Sequence, residues 1–404
     1  MSFGSTDLQN ALNDVDASAL FKTDFLEYYE NCYNIASPMF ERIKKPKSFE
    51  GKFLKFPAPL GISGGVGSKR LPEARVPNYG DVEISSKKMY ATGLVDREAL
   101  GESASNKGAF VNALKELVKK TAEADMWNHR RASFGNGDGS LGVIDSVTDN
   151  GGGNYSLVIT TASWNEANWE ENVLVNIETG NTDLFVIESV TVSTRTVVVQ
   201  RQAGGTQVPA ATDEVFVQNS EDGDILGLSG VTTATTGTLY GVPVQRRWKS
   251  FQVLSYGAAI DHKIFNKLSQ GVSKQVGKAP KLFITTYELF EAALNTFENQ
   301  KRYAQPSSNT ANYNFKGIEI MTSSGPAELL PDRFCQAGTV YALNPDYIAY
   351  YRRPNSGWVN EDVRNPYGML RLVDEDQFEL RHATYGQLFI APPFQGVATG
   401  VTAT

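Results

Sequence analysis

Few side chains in this chain stand at a spacing that does chemistry. The run Gly61-Ile-Ser-Gly-Gly-Val-Gly67-Ser-Lys-Arg70 invites comparison with a phosphate-cradling loop. That loop needs Gly-Lys-Ser/Thr with a helix directly behind it. Here the order is Gly67-Ser68-Lys69, and Pro72 and Pro77 follow, so the run reads as a hairpin tip. Asn136-Gly-Asp138-Gly-Ser140 has the look of a calcium loop but lacks the distal bidentate glutamate, which leaves a helix-stopping loop. His129, His262 and His382 are far apart in sequence and lack HExxH spacing; each is expected at a helix end, in a loop or on a strand face. There is no GxSxG elbow, and Cys32 and Cys335 supply neither a disulfide framework nor a metal cluster. The pairs Glu170-Glu171 and Glu361-Asp362 lie in turn-like, solvated contexts. One covalent step has its residue types present: the Lys69 amine could form an isopeptide bond with Asn360 or Asn365, assisted by Glu361. Those types are common, and spacing does not fix their geometry. No catalytic residue, metal or cofactor is expected.

The elements that must position these residues centre on one helix, expected over Asn106–Arg131. Phe110, Leu114, Leu117, Val118 and Met126 largely follow the stripe of a helix packed on one side. Ser103 or Ser105 can cap its start, and Arg130 and Arg131 suit its negative end. About 26 residues make a rod of roughly 39 Å, which needs a sheet or long hairpin beside it. The hairpin is expected from strands at Ser48–Ala58 and Gly80–Val95, too polar and glycine-rich at its tip for a core of its own. Its support would be a surface elsewhere, a neighbouring subunit included. Residues 1–47 read as an arm, with Phe25, Tyr28, Tyr29, Tyr33 and Phe40 as its aromatic pattern.

Between 144 and 222, short strands separated by glycine turns suggest a small barrel or sandwich inserted into a host. The host resumes near Gly227 with a strand at Lys281–Ile284 and a helix capped by Thr285 or Thr286 and running to about Tyr303. Strands are expected at Phe315–Met321, Val340–Leu343, Tyr347–Tyr351, Met369–Val373, Gln377–Ala383 and Tyr385–Ala391. The fold class is α+β.

At 404 residues, with 41% hydrophobic and 21% charged side chains, the chain is of ordinary globular composition and large enough for two or three domains. No apolar run approaches the ~20 residues that span a bilayer, and the polar, acidic N-terminus is unlike a signal peptide. The net charge of −7 argues against tight nucleic-acid binding. It is unevenly spread: residues 144–221 hold eleven acidic side chains against Arg195 and Arg201, and no lysine.

The order arm, hairpin, long helix, mixed β body resembles the major capsid protein of tailed double-stranded DNA phages, the Hong Kong 97 fold. The resemblance rests on Val95-Asp-Arg-Glu-Ala-Leu100 before the helix and Gly135-Asn-Gly-Asp-Gly-Ser-Leu-Gly-Val143 after it. It rests too on Gly227-Leu-Ser-Gly-Val-Thr-Thr-Ala-Thr-Thr-Gly-Thr-Leu-Tyr-Gly241 with Arg246-Arg-Trp248, on Gly277-Lys-Ala-Pro-Lys-Leu-Phe-Ile-Thr-Thr286, and on Leu388-Phe-Ile-Ala-Pro-Pro-Phe-Gln-Gly-Val397. It implies an N-terminal arm (1–47), an E-loop hairpin (48–95), a P-domain spine with its loop (96–143), a β-rich insertion domain (144–222), an A-domain (223–345) and C-terminal strands returning to these domains (346–404). It implies hexamers and pentamers closing an icosahedral shell around the genome, in a virion assembled in the host bacterial cytoplasm. The partners the resemblance allows are other copies of the chain, a portal, a decoration protein, and DNA held weakly. Fewer than 50 residues precede the hairpin, which favours a separate scaffolding protein over a fused one. Contacts between copies are expected at Phe25, Tyr28, Tyr29, Lys69, Arg70, Arg75, Arg130, Arg131, Trp358 and Arg364.

Two other readings are open. An encapsulin-type compartment of the same fold would hold a cargo enzyme. A carbohydrate-binding or adhesive β protein would use Trp164 and Trp169, which accounts for the β-rich segment but not for the spine or hairpin.

Overall fold

Pro38 sets the backbone φ that a helix start needs, and a five-residue helix follows (α1, Pro38–Arg42). Its Met39 and Phe40 are buried. In the computed structural model, residues 37–46, 48–61, 78–97, 107–178, 180, 182–203, 205–300, 318–359, 369–372 and 376–403 are described. The arm before Ser37 and the hairpin tip at 62–77 lie outside them.

Strands β1 (Phe53–Pro59) and β2 (Tyr79–Ser85) form the base of the hairpin, Phe53 opposite Ser85 and Pro59 opposite Tyr79. The second strand expected from the sequence breaks at Ser86, and β3 (Lys87–Asp96) leaves for another sheet. The base finds its support within the subunit. Alternation turns Val82 and Ile84 to one face, where both are fully buried in the central core with Tyr240, Val242 and Phe389. The Glu83 N–H donates to the Tyr240 carbonyl at 2.8 Å, and Phe56 meets Phe389 edge-to-face at 5.1 Å. Full burial of such a side chain contributes about 1.5–3 kcal/mol.

The spine is a helix of 28 residues (α2, Lys107–Phe134), about 42 Å long. It runs past Arg131 because Ala132 and Phe134 bury in the central core, and it stops where the Gly135 N–H turns back to the Ala132 carbonyl at 3.1 Å. Val118, Ala122 and Met126 recur every fourth residue as its buried stripe.

Six strands then close a barrel in the order β4-β5-β8-β7-β6-β9. They are β4 (Ser140–Gly151), β5 (Asn154–Ile159), β6 (Leu174–Ile177), β7 (Leu184–Thr191), β8 (Thr196–Ala203) and β9 (Glu214–Val217). Leu157, Ile159, Val175, Phe185, Val197, Val199 and Val215 fill the interior. The barrel begins at Ser140, earlier than the sequence indicated, because β4 starts inside the glycine loop.

A short helix (α3, Leu228–Thr232), a two-residue ribbon (β10, Thr238–Leu239; β11, Val242–Pro243) and β12 (Phe251–Val253) lead back into the body. Asp261 then caps a helix absent from the sequence reading (α4, His262–Val276) by accepting from the N–H groups of Lys263 and Ile264. After β13 (Leu282–Thr285) comes α5 (Tyr287–Gln300), capped by Thr286, whose hydroxyl accepts the Leu289 N–H at 3.3 Å.

The remaining strands are β14 (Ile318–Thr322), β15 (Gly325–Pro331), β16 (Val340–Leu343), β17 (Ile348–Arg352), β18 (Gly357–Trp358), β19 (Met369–Arg371), β20 (Gln377–Ile390) and β21 (Gly396–Ala398). One mixed sheet runs β12-β21-β16-β13-β15-β14. Phe283 on one of its faces joins the core under α4 and α5, while Leu282 and Ile284 on the other join the central core. In the second sheet β20 pairs with β3, β17, β18 and β19. The two strands expected on either side of Thr384 are one, since Thr384 pairs with Met89 and the ladder continues through it.

Candidate functional site

Three junctions hold the spine, the arm and the barrel together, and each is built from side chains distant in sequence. The first lies between α2 and β20. Asp125 and His129 are one helical turn apart and share a face, while His382 and Thr384 alternate onto the helix-facing side of β20. The fully buried Asp125 carboxylate places Oδ2 3.2 Å from His382 Nδ1 and 3.6 Å from His129 Nδ1, and accepts the Thr384 hydroxyl at 3.2 Å. His129 Nδ1 lies 2.9 Å from the Asp125 carbonyl, which can only accept, so that nitrogen carries a proton. Its Nε2 is 3.0 Å from the Tyr350 hydroxyl on β17. Two histidines read from the sequence as unrelated therefore converge on one carboxylate. His262 stands alone of the three, with Nε2 3.0 Å from the Met321 carbonyl. The node is closed to solvent and pins helix to strand: a one-residue slip of β20 would turn His382 and Thr384 to the other face.

The second junction anchors the end of the arm. Ser37 Oγ donates to Asp332 Oδ2 at 2.6 Å, and the Arg42 guanidinium holds both Glu328 oxygens at 2.7 Å. Burial pushes the Asp332 carboxyl up to about 6, against the pull of the Ser37 and Phe334 hydrogen bonds. An unfolded Asp titrates near 3.9, so the folded state binds more protons between about pH 4 and 6. Stability from this group is thus present below about pH 4, is lost as pH rises toward 6, and stays lost above. Asp332→Asn is expected to raise the unfolding free energy from urea titration at pH 7.5, by up to about 3 kcal/mol, and to leave it unchanged at pH 3.5. Equal pH profiles for the two proteins would contradict this.

The third junction docks the barrel. Arg131 and Asp224 form a buried ion pair at 2.7 Å. Trp127 Nε1 donates to the Ala167 carbonyl at 2.9 Å, and Asn165 Nδ2 to the carbonyls of Phe334 and Cys335 at 3.1 and 3.2 Å. Arg131, expected at a contact between copies, is thus occupied inside the subunit. Trp164 and Trp169 stack on each other at 5.9 Å, 13° from parallel, with Trp169 buried against the barrel core. Of the two aromatics in the carbohydrate-binding reading, Trp169 is buried and Trp164 is half-buried.

Of the other expected contact residues, Arg130 is half-buried on the spine and Trp358 is half-buried, edge-on to His382 at 4.9 Å. Phe25, Tyr28, Tyr29, Lys69, Arg70, Arg75 and Arg364 lie outside the described residues, as do Asn360, Glu361 and Asn365 of the isopeptide scheme. Asn136 and Asp138 bond each other at 2.6 Å, and Asp138 accepts the Ser140 N–H at 2.9 Å, as in a turn. Among the described residues no group of three or more His, Cys, Asp or Glu is arranged to hold a metal ion.

Outward surfaces carry apolar area. On the face of the β3–β20 pair turned away from the spine, Tyr90 and Leu94 are 51% and 55% exposed, beside Tyr385. At the hairpin base Tyr79 is 57% exposed. No described helix is long and apolar enough to cross a membrane.

In sequence no family model matches the chain, and no curated protein matches it. In structure it is similar to a chain of the cyanophage A-1(L) capsid asymmetric unit, at a TM-score of 0.53 and 13% identity over 91% of this chain and 93% of that one. A chain of Mycobacterium phage Bobi aligns over 90% of each chain, with 8% identity and a TM-score of 0.42. A chain of the holo-SrpI encapsulin complex from Synechococcus elongatus aligns over 92% of this chain and 90% of that one, with 8% identity and a TM-score of 0.41. The architecture, a sheet-dominated α/β body with one long helix, is that of the cyanophage capsid chain.

Proposed function

We propose that this chain, sharing its fold with a phage capsid chain, is the major capsid protein of a tailed double-stranded DNA phage. The observation that carries the reading is that the shared fold extends over 91% of this chain and 93% of the cyanophage capsid chain. In this reading β1–β2 belong to the E-loop, α2 with the β20 sheet to the P-domain, the β12–β21 sheet with α4 and α5 to the A-domain, and the barrel is an insertion. The role is structural. Exposed Tyr79 on the hairpin and Tyr90 and Leu94 on the sheet are the kind of apolar surface that repeated head-to-tail contacts bury. Hexamers and pentamers would close the shell, with a separate scaffolding protein, a portal and a decoration protein as partners, and DNA contacted only weakly.

The test is to express the full chain alone and with its neighbouring-gene candidates for a scaffold, and to image the product by negative stain. Uniform closed particles are expected. A monodisperse monomer at high concentration under every condition would sink the reading. Nuclease-protected DNA within particles from infected cells separates a virion shell from a cargo compartment.

A further inference from the structure

Arg246 and Arg247 are exposed neighbours on a tight turn, and neither has a partner among the described residues. Every other arginine whose side chain is described has one within the subunit: a carboxylate, a carbonyl oxygen, a hydroxyl or the Met126 sulfur. The turn itself is held firmly. The Trp248 N–H closes it on the Gln245 carbonyl at 2.7 Å, and the buried Trp248 indole donates to the Leu239 carbonyl at 3.1 Å. Just beyond, Ser250 Oγ bonds the Pro392 carbonyl at 2.9 Å. Half-buried Lys249 adds a third positive charge without an ion-pair partner among the described residues. Two guanidiniums side by side repel each other, and a backbone fixed in advance lowers the ordering cost of meeting carboxylates.

Complementary charge is present on every copy. The barrel segment 144–221 holds eleven acidic residues, two arginines and no lysine. Asp145 and Glu171 on it are exposed and have no partner among the described residues. The turn is not satisfied by its own barrel, which is already docked through Arg131, Asn165 and Trp127. We propose that the Arg246-Arg247-Lys249 turn is an interaction surface that binds the acidic barrel of a neighbouring copy. The proposal rests on the shell reading, in which each copy presents both surfaces to different neighbours in a heterologous contact.

The experiment uses the assembled full-length chain. Arg246→Glu with Arg247→Glu is expected to raise the subunit concentration needed for assembly on the order of tenfold or more, and Arg246→Lys with Arg247→Lys to leave it near wild type. The lysine variant supplies amines for a zero-length carbodiimide crosslink. Mass spectrometry of treated particles should then find peptides joining the substituted positions to barrel carboxylates of another copy. Crosslinks confined to other surfaces, or none, would overturn the contact even where the glutamate variant fails to fold. So would a glutamate variant that assembles at wild-type concentration, including one that assembles normally but loses nuclease-protected DNA, which would assign the turn to nucleic acid. Absence of particles from the wild-type chain is a different failure: it removes the shell reading, and this contact with it.

Discussion

Asp125→Ala should be among the most damaging single substitutions in this chain, with an expected loss on the order of 3–5 kcal/mol. The carboxylate is fully buried and is the common partner of His382, His129 and Thr384. Removing it takes the carboxylate from His382 and Thr384 in a site closed to solvent, while His129 keeps the Asp125 backbone carbonyl and the Tyr350 hydroxyl, so the desolvation penalty falls mainly on the first two. Asp125→Asn keeps the shape and an acceptor for Thr384, and should fall between the alanine variant and wild type. Urea unfolding of the dissociated subunit, followed by far-ultraviolet circular dichroism, gives both values. A loss below about 1 kcal/mol for the alanine variant would mean that the node contributes little to holding spine and strand.

Gly139→Ala is the second. Gly139 has φ +87°, and a Cβ there would lie 2.1 Å from the Ser220 carbonyl oxygen. Backbone strain and a clash with backbone add, because neither partner has a flexible end that can swing away. The expected loss is about 3 kcal/mol or more, accompanied by faster proteolysis at the barrel–spine joint. Gly151→Ala provides the comparison: its φ is nearly the same, +86°, but nothing lies within 4 Å of the added carbon. It should cost only the strain, about 1–2 kcal/mol. Equal losses at the two sites would show that the close approach at Gly139 is not rigid.

Much of this architecture is legible in the amino-acid order, and the parts that are not share a cause. The spine and the helix capped by Thr286 announce themselves by period and cap, signals confined to one turn or a few. Helix α4 carried the same signals, with Asp261 as cap, Ile264, Leu268 and Val272 spaced by four, and Gly277 ending it at φ +72°. They went unread. Strand β4 is harder, since its second half, Asp-Ser-Val-Thr-Asp-Asn-Gly, is mostly solvent-facing and has a register shift near Asp145. The Asp125 node shows a different limit. Asp125 and His129 at helical spacing on a buried stripe are a visible hint, but His382 and Thr384 join them only through the register of β20 on β3. The hairpin base shows the same limit: Val82 and Ile84 alternate as a buried face should, but the ribbon near Tyr240 that covers them is remote in sequence.

The barrel's way in and way out lie side by side. The Asp222 N–H bonds the Asp138 carbonyl at 2.8 Å, and Ser220 Oγ bonds the Gly139 carbonyl at 3.2 Å. Seen from the body, everything between is a detour that returns to its own starting point, and the entropy of closing a detour grows only with the logarithm of its length. The cost of closing this joint therefore depends little on how many residues lie between Gly139 and Ser220, and the two hydrogen bonds across it hold the ends of a long excursion almost as readily as those of a short one.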